Sequence, residues 1–245
     1  MFCNINFRLI SKSKLFDLEN NDPKCIVTVN AQFIVIANSN RRFMNILNKY
    51  YSTFDGEVPL KFAKRQTEYR CAESIKGSEI IYDFINYAKM NNLKIFLLGG
   101  KELSNSISVE KIRSEYGVKA DGYSPPYEEY PFSDETEKKN MEKIEKFCPD
   151  ILFVGFGAPK QEFFIEDHYD EFKQIGIKYI VGCGGTFEFL SGIVKRAPRW
   201  VSKMGAEGVY RLFQEMNKSR WERLVVSTKF FRYIKHKPDY YDTTS

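Results

Sequence analysis

Ile151-Leu152-Phe153-Val154-Gly155-Phe156-Gly157-Ala158-Pro159-Lys160-Gln161-Glu162 is the stretch whose reading decides the fold. Four apolar residues without alternation describe a short strand buried on both faces rather than one with a wet side. The Gly-x-Gly that follows describes a tight turn, and the polar residues after Pro159 open a stretch with helical spacing, Lys160 to Gln174. The same grammar recurs on either side. Lys94 to Leu98 ends in Gly99-Gly100, and Tyr179 to Val181 ends in Gly182-Cys183-Gly184-Gly185. Helical patterns fill Glu102 to Tyr116 and Asp134 to Phe147, and a loop with three prolines spans Tyr123 to Pro131. Upstream, Cys25 to Val29 reads as a strand, Ala31 to Tyr50 has helical spacing, Asp55-Gly56 marks a turn, and Glu79 to Met90 is an amphipathic helix. Before Pro23 nothing is strongly periodic. Short apolar strands alternating with helices predict an α/β protein, with a Rossmann-like mostly parallel sheet covered by helices.

After Arg196-Ala197-Pro198 the character changes to helix-like stretches, about Trp200 to Gln214 and Arg220 to Ile234, with basic and aromatic residues mixed. The chain therefore divides into a sheet domain, 1–195, and a basic helical C-terminal appendage, 196–245. From Lys195 onward 12 Lys/Arg stand against 5 Asp/Glu, a balance of +7, whereas the preceding 194 residues hold 25 against 27. The overall +5 thus belongs to the tail, which points to an anionic partner there. Five scattered cysteines with no Cys-x-x-Cys pair, and two histidines, support neither a disulfide framework nor a zinc site; a reducing cytoplasm fits. Met1 to Ile10 lacks a signal-peptide apolar core, and no stretch approaches the roughly 18 apolar residues of a membrane span. Membrane contact is therefore expected to be peripheral.

Glycine turns at the carboxyl edge of a parallel sheet are where phosphorylated ligands bind; glycines there also serve packing alone. The dinucleotide fingerprint is incomplete, since Gly155-x-Gly157 is followed by Lys160 and Gly182-x-Gly184 by Phe187. Gly99-Gly100-Lys101 is not a P-loop, and no Asp-x-Asp occurs. A leaving diphosphate would have to be met by Arg, Lys and helix N-termini.

Several segments, in order, resemble the WecG/TagA/CpsF glycosyltransferase family: Thr28-Val29-Asn30, Asp55-Gly56, Gly77-Ser78-Glu79, Phe96 to Gly100, Gly155 to Glu162 (close to Gly-x-Gly-x-Pro-Lys-Gln-Glu), Gly182 to Phe189, Arg196-Ala197-Pro198, and the tail segments Glu207 to Leu212 and Arg220 to Arg223. The resemblance implies a metal-independent inverting transferase with no cofactor. Its donor would be a UDP-sugar and its acceptor a polyprenyl-diphosphate-linked saccharide, at the cytoplasmic face of the membrane. Asp55 matches the family's base, although an Asp before Gly is by itself commonly a turn residue. Thr28 and Asn30 would touch sugar or diphosphate, or else cap a helix. Gln161 would bind donor groups, whereas Lys160 and Glu162 read equally well as solvated first-turn residues. Glu188 stands where the family has Asp. Arg211, Arg220 and Arg223 offer rigid forks suited to a diphosphate. Trp200, Trp221, Phe230 and Phe231 divide between a bilayer interface and core packing.

Three departures stand out: Ser74 occupies the place of a common arginine, with Arg70 nearby, Glu188 that of an aspartate, and Gly208 that of a tryptophan. The competing readings are a dinucleotide-dependent oxidoreductase and a nucleic-acid-binding protein. The first lacks its fingerprint and the second lacks a recognisable module in the tail, so no nucleic-acid partner is expected.

Overall fold

The computed structural model describes residues 1–18, 22–198, 200–201, 204, 206–215 and 218–235; for residues 207, 215, 218–220 and 235 it describes the backbone only. Among them, six strands form one all-parallel sheet: β1 (Lys24–Val29), β2 (Tyr51–Phe54), β3 (Ile95–Gly99), β4 (Ala120–Tyr123), β5 (Ile151–Gly155) and β6 (Tyr179–Gly182), in the order β2-β1-β6-β5-β3-β4. The uninterrupted apolar runs are explained by what lies on each side. Cys25, Val27, Phe96, Leu98, Leu152, Val154 and Ile180 face one helical layer. Their alternates Ile26, Ile95, Leu97, Ile151, Phe153, Tyr179 and Val181 face the other.

The first layer comprises α1 (Ala31–Ala37), α2 (Arg41–Lys49), α3 (Glu57–Ala63), α6 (Asp134–Phe147), α7 (Lys160–Asp167) and α8 (Tyr169–Ile175), through Phe33, Phe43, Leu60, Ile144, Phe164 and Phe172. The second comprises α4 (Gly77–Asn91), α5 (Glu102–Tyr116) and α9 (Thr186–Leu190), through Phe84, Ile85, Ile112 and Phe187. The α/β class and the mostly parallel sheet read from the sequence are observed.

The differences have local causes. β2 carries Ser52 and Thr53, which look wrong for a buried strand, yet both are 0 % exposed because their hydroxyls donate to Leu47 O (2.6 Å) and Ile75 O (2.9 Å). β4, Ala-Asp-Gly-Tyr, is an edge strand with a turn-like composition. The stretch Ala31 to Tyr50 is two helices, because Asn38 donates back to Ile34 O (2.8 Å) and Asn40 restarts the chain by capping Phe43 N (3.0 Å). Lys160 to Gln174 likewise breaks at His168. The aperiodic N-terminus packs into the core through Phe2, Ile5, Phe7 and Leu9, with Phe7 stacked on Phe54 at 3.8 Å.

The tail forms α10 (Glu207–Glu215), α11 (Lys218–Thr228) and α12 (Phe230–Lys235). Phe230 is 0 % exposed and meets Phe2 and Phe62, both at 6.2 Å between centroids. Trp200, Trp221 and Phe231 are 66 %, 57 % and 49 % exposed, so of the four tail aromatics singled out above Phe230 alone is core.

Phe187 is a tight joint at the carboxyl edge. Gly155 runs so close beneath it that a Cβ there would lie 2.8 Å from the ring, and the positive φ of Gly100 (+72°) places its own missing Cβ 2.7 Å away. Replacing Phe187 with alanine should cost about 3–5 kcal/mol, read as a lowered midpoint in urea unfolding at unchanged slope.

Candidate active site

A cleft of about 1010 Å³ opens above the carboxyl ends of β1, β5 and β6. Its floor is made by Thr28, Gly157, Gly184 and Gly185, its side by Asp55 and the start of α4, and its roof by α10, α11 and Phe231. Two of the three glycine turns reach it. Gly99-Gly100 instead packs under Phe156 and Phe187, so that pair serves the sheet.

Asp55 is held by its backbone: its N–H donates to Val29 O at 2.9 Å, as Ile75 N–H donates to Phe54 O at 2.8 Å. Asp55 and Lys76, the residue after Ile75, therefore enter the cleft wall together. Lys76 is 6 % exposed, with Nζ 3.9 Å from Glu57 Oε1. It precedes α4, whose first turn has no side-chain cap, so the partial positive charge of that helix end adds to the ammonium. The Thr28 hydroxyl is buried and donates to Gly182 O at 3.2 Å, joining β1 to β6. Asn30 caps α1, accepting from Gln32 N (2.9 Å) and Phe33 N (3.3 Å), which leaves its amide nitrogen as the group to face a ligand.

Gln161 is buried beneath the floor. Its Oε1 accepts from Gly157 N (3.1 Å) and Gly184 N (3.0 Å), and its Nε2 donates to Glu162 Oε1 (2.6 Å). It is therefore a brace between the two glycine loops. Glu162 is 0 % exposed, not a solvated first-turn residue, and desolvation pushes its carboxyl up to about 8. Lys160 donates to Glu128 O at 2.8 Å and covers the Tyr127 ring at 4.1 Å, which fixes the proline loop rather than a ligand.

From the tail, Arg211 Nη2 donates to Glu188 Oε2 (3.1 Å) and Gly185 O (3.2 Å), with its guanidinium 4.5 Å over Phe189. The longer glutamate, where the family usually has Asp, reaches this partner. Arg223 Nη2 lies 3.6 Å from where a Cβ of Gly157 would stand. The backbone of Arg220 belongs to α11; its side chain lies outside the described residues. The structure thus brings Thr28, Asn30, Asp55, Gln161, Arg211 and Arg223 around one cavity, with Glu188 directly behind Arg211. Lys76 and Arg196 line it too and were not singled out as binders. The signal for Lys76 was its place just before Gly77-Ser78-Glu79. Ser74 bridges to Phe54 and its buried hydroxyl is unpartnered among the described residues. Arg70 is exposed and outside the cleft lining, whereas Lys76, two residues after Ser74, is part of it. Gly208 is exposed and faces Leu224. Among the described residues no three His, Cys, Asp or Glu side chains cluster as metal ligands.

An open parallel sheet with a cation-lined crevice at its carboxyl edge is the architecture of enzymes that handle phosphorylated ligands. The family model for glycosyl transferases of the WecG/TagA/CpsF type matches residues 2–239, and the chain belongs to that family. It is similar to N-acetylglucosaminyldiphosphoundecaprenol N-acetyl-β-D-mannosaminyltransferase of Bacillus subtilis (strain 168), 31 % identical over 206 residues, covering 84 % of this chain and 76 % of the relative. The protein of the same name from Staphylococcus aureus (strain MRSA252) is 30 % identical over 200 residues, covering 81 % and 73 %. The protein is a glycosyltransferase.

Because Arg211 and Glu188 are both largely buried, Arg211→Ala should destabilise the fold by about 1–3 kcal/mol, leaving a carboxylate and the Gly185 carbonyl without their donor. Urea unfolding reads the loss.

Proposed function

We propose that this glycosyltransferase moves an N-acetylhexosamine from UDP to the hydroxyl of a polyprenyl-diphosphate-linked saccharide, with inversion and without a metal or other cofactor. The observation that carries the reading is the convergence of Asp55 with Lys76, Arg211 and Arg223 on one cleft, in a chain whose named relatives act on such a lipid-linked acceptor. Asp55 takes the proton of the acceptor hydroxyl as its oxygen attacks the anomeric carbon. The bond from that carbon to the diphosphate breaks, and UDP leaves. Lys76, Arg211, Arg223 and the uncapped end of α4 meet the charge that builds on the leaving phosphate, with Arg220 the third tail candidate. Thr28 and Asn30 shape the sugar pocket, Glu188 acts on it by holding Arg211, and Gln161 holds the loops beneath it. N-acetylmannosamine, the sugar in the relatives' names, is the first donor to test.

Residues 1–195 would carry the donor, with Arg211 and Arg223 closing on its diphosphate, and the rest of the basic tail, 196–245, would meet the acceptor's diphosphate at the cytoplasmic face of the membrane. No helix among the described residues is long and apolar enough to span a bilayer. Exposed Trp200, Trp221 and Phe231 beside the tail's cations suit a peripheral contact.

In the presence of EDTA, UDP should raise the thermal midpoint, and NAD or flavin should not. Asp55→Asn should keep the UDP shift and lower turnover by about 10²–10⁴-fold; loss of binding with turnover would make Asp55 a structural residue. Since the two tryptophans of the chain both lie in the tail, their emission reports it alone. It should shift to the blue on anionic vesicles, reversed by salt, and co-sedimentation should fall in the double variant Trp200→Ser, Trp221→Ser. Unaltered sedimentation would mean that the tail is not the contact. Truncation at residue 195 is unsuitable, because it removes Phe230 from the core.

A further inference from the structure

The two loops of the cleft floor, after β5 and after β6, are tied at their base by Cys183 N–H donating to Val154 O at 3.0 Å. Beyond that bond a side chain holds them, since Gln161 Oε1 accepts from Gly157 N and Gly184 N. A carboxamide has two ends of similar size, and turned over it would aim its NH₂ at two N–H donors. What forbids the turn is its other partner: Glu162 Oε1, 2.6 Å from Gln161 Nε2, accepts and is fixed in place by complete burial. Gly182 makes room for the pair, because a Cβ there would lie 3.0 Å from Gln161 Nε2 and 3.1 Å from Glu162 Oε1. Each braced loop also seats a tail arginine, Arg211 on Gly185 O and Arg223 against Gly157.

We propose that Glu162 is a positioning residue: by accepting from Gln161 it locks the orientation of the amide that ties the two glycine loops, and so sets the spacing of the backbone and arginine groups that face a diphosphate-bearing donor. The inference rests on reading the cleft as the donor site. A carboxyl at this place does not serve the fold, since it is wholly buried and its Oε2 is unpartnered among the described residues. Its ionisation is raised to about 8 by burial, so near neutrality it is a neutral acid that still accepts through Oε1. The titratable groups around it are the buried thiols of Cys25 on β1 and Cys183 after β6, both pushed up as well. Beyond them Glu166, further along α7, is paired with Lys49 of α2 at 3.0 Å. Lys49, the cation among these, is taken up by Glu166, and burial rather than a neighbouring charge governs Glu162. Above about pH 8 an anion forms beneath a floor built for a diphosphate.

The test compares full-length wild type, Glu162→Gln and Glu162→Leu, by calorimetric titration with UDP, donor kinetics between pH 6 and 9.5, and thermal midpoints. In the wild type the donor KM should rise above about pH 8. Glu162→Gln, neutral and still an acceptor, should match wild type within about threefold at pH 7 and lack that rise. Glu162→Leu should raise the UDP Kd and donor KM about 10–100-fold with a smaller change in kcat, at a midpoint equal to or above that of wild type. The stability sign agrees: the native carboxyl keeps its proton to about pH 8, whereas the unfolded one has the ordinary value of 4.5. The native state therefore loses stability as pH rises through that window, and both variants abolish the loss. Folded Glu162→Leu with wild-type Kd and KM overturns the proposal, as does an alkaline KM rise that persists in Glu162→Gln should the leucine variant not fold. Failure of wild type to bind UDP removes the donor reading and this inference with it, an outcome distinct from a variant that binds like wild type.

Discussion

The parallel pairing of β1 with β6 sets Lys24 beside Tyr179 and Val27 beside Gly182, and the cleft exists because of it. Segments far apart in the chain become neighbours: Thr28 reaches Gly182, and α4 is driven so close that a side chain on Gly77 would meet the hydroxyls of Thr28 and Thr186. A central parallel pair has no wet face, so both sides demand a helical layer, and each helix must be reached through a loop at the same edge. Asp55 follows β2, Lys76 follows the segment bridged to β2, and the glycine loops follow β5 and β6. Their meeting is a property of the winding rather than of any local motif.

That edge concentrates charge in a place where charge is costly. Lys76 and Glu162 are almost or wholly buried, and Arg211 and Glu188 nearly so. Asp55, Glu57 and Glu79 share the lining with the cations Lys76, Lys195, Arg196, Arg211 and Arg223, while the buried acids sit behind the surface, each answering to a neighbour that faces it: Glu188 to Arg211, Glu162 to Gln161. Such layering gives an inward-facing positive lining whose orientation is fixed before any ligand arrives, which is how electrostatic complementarity acts without reorganisation.

The central strands were legible because burial on both faces leaves an uninterrupted apolar run, as in Ile151 to Val154. The edge strands were not, since Ser52 and Thr53 solve burial through hydroxyls bonded to carbonyls that only the tertiary fold supplies, and Asp121-Gly122 is turn-like in any sequence window. Asn30 and Asn40 were capping residues that a helical periodicity read straight across or left undecided. For the site, motif spacing brought six of the eight singled-out side chains to the cavity wall, yet it could not tell a surface from an underside. Gln161 and Glu162 look alike in sequence as polar first-turn residues; one braces loops and the other is shut away. Lys76 carried no mark beyond preceding a helix, and its importance comes from Ile75 being bonded to Phe54.

Phe230 joins the last helix to the first residues of the chain: its ring meets that of Phe2, and Phe2 meets Phe54, the residue before Asp55. The first residues and α12 are thus drawn together behind Asp55, like a purse by its string. A carboxyl-terminal cut that removed α12 would open the hydrophobic wall behind Asp55, so partial digestion would leave no intact enzyme lacking only its tail, but a molecule whose damage spreads from the periphery to the centre.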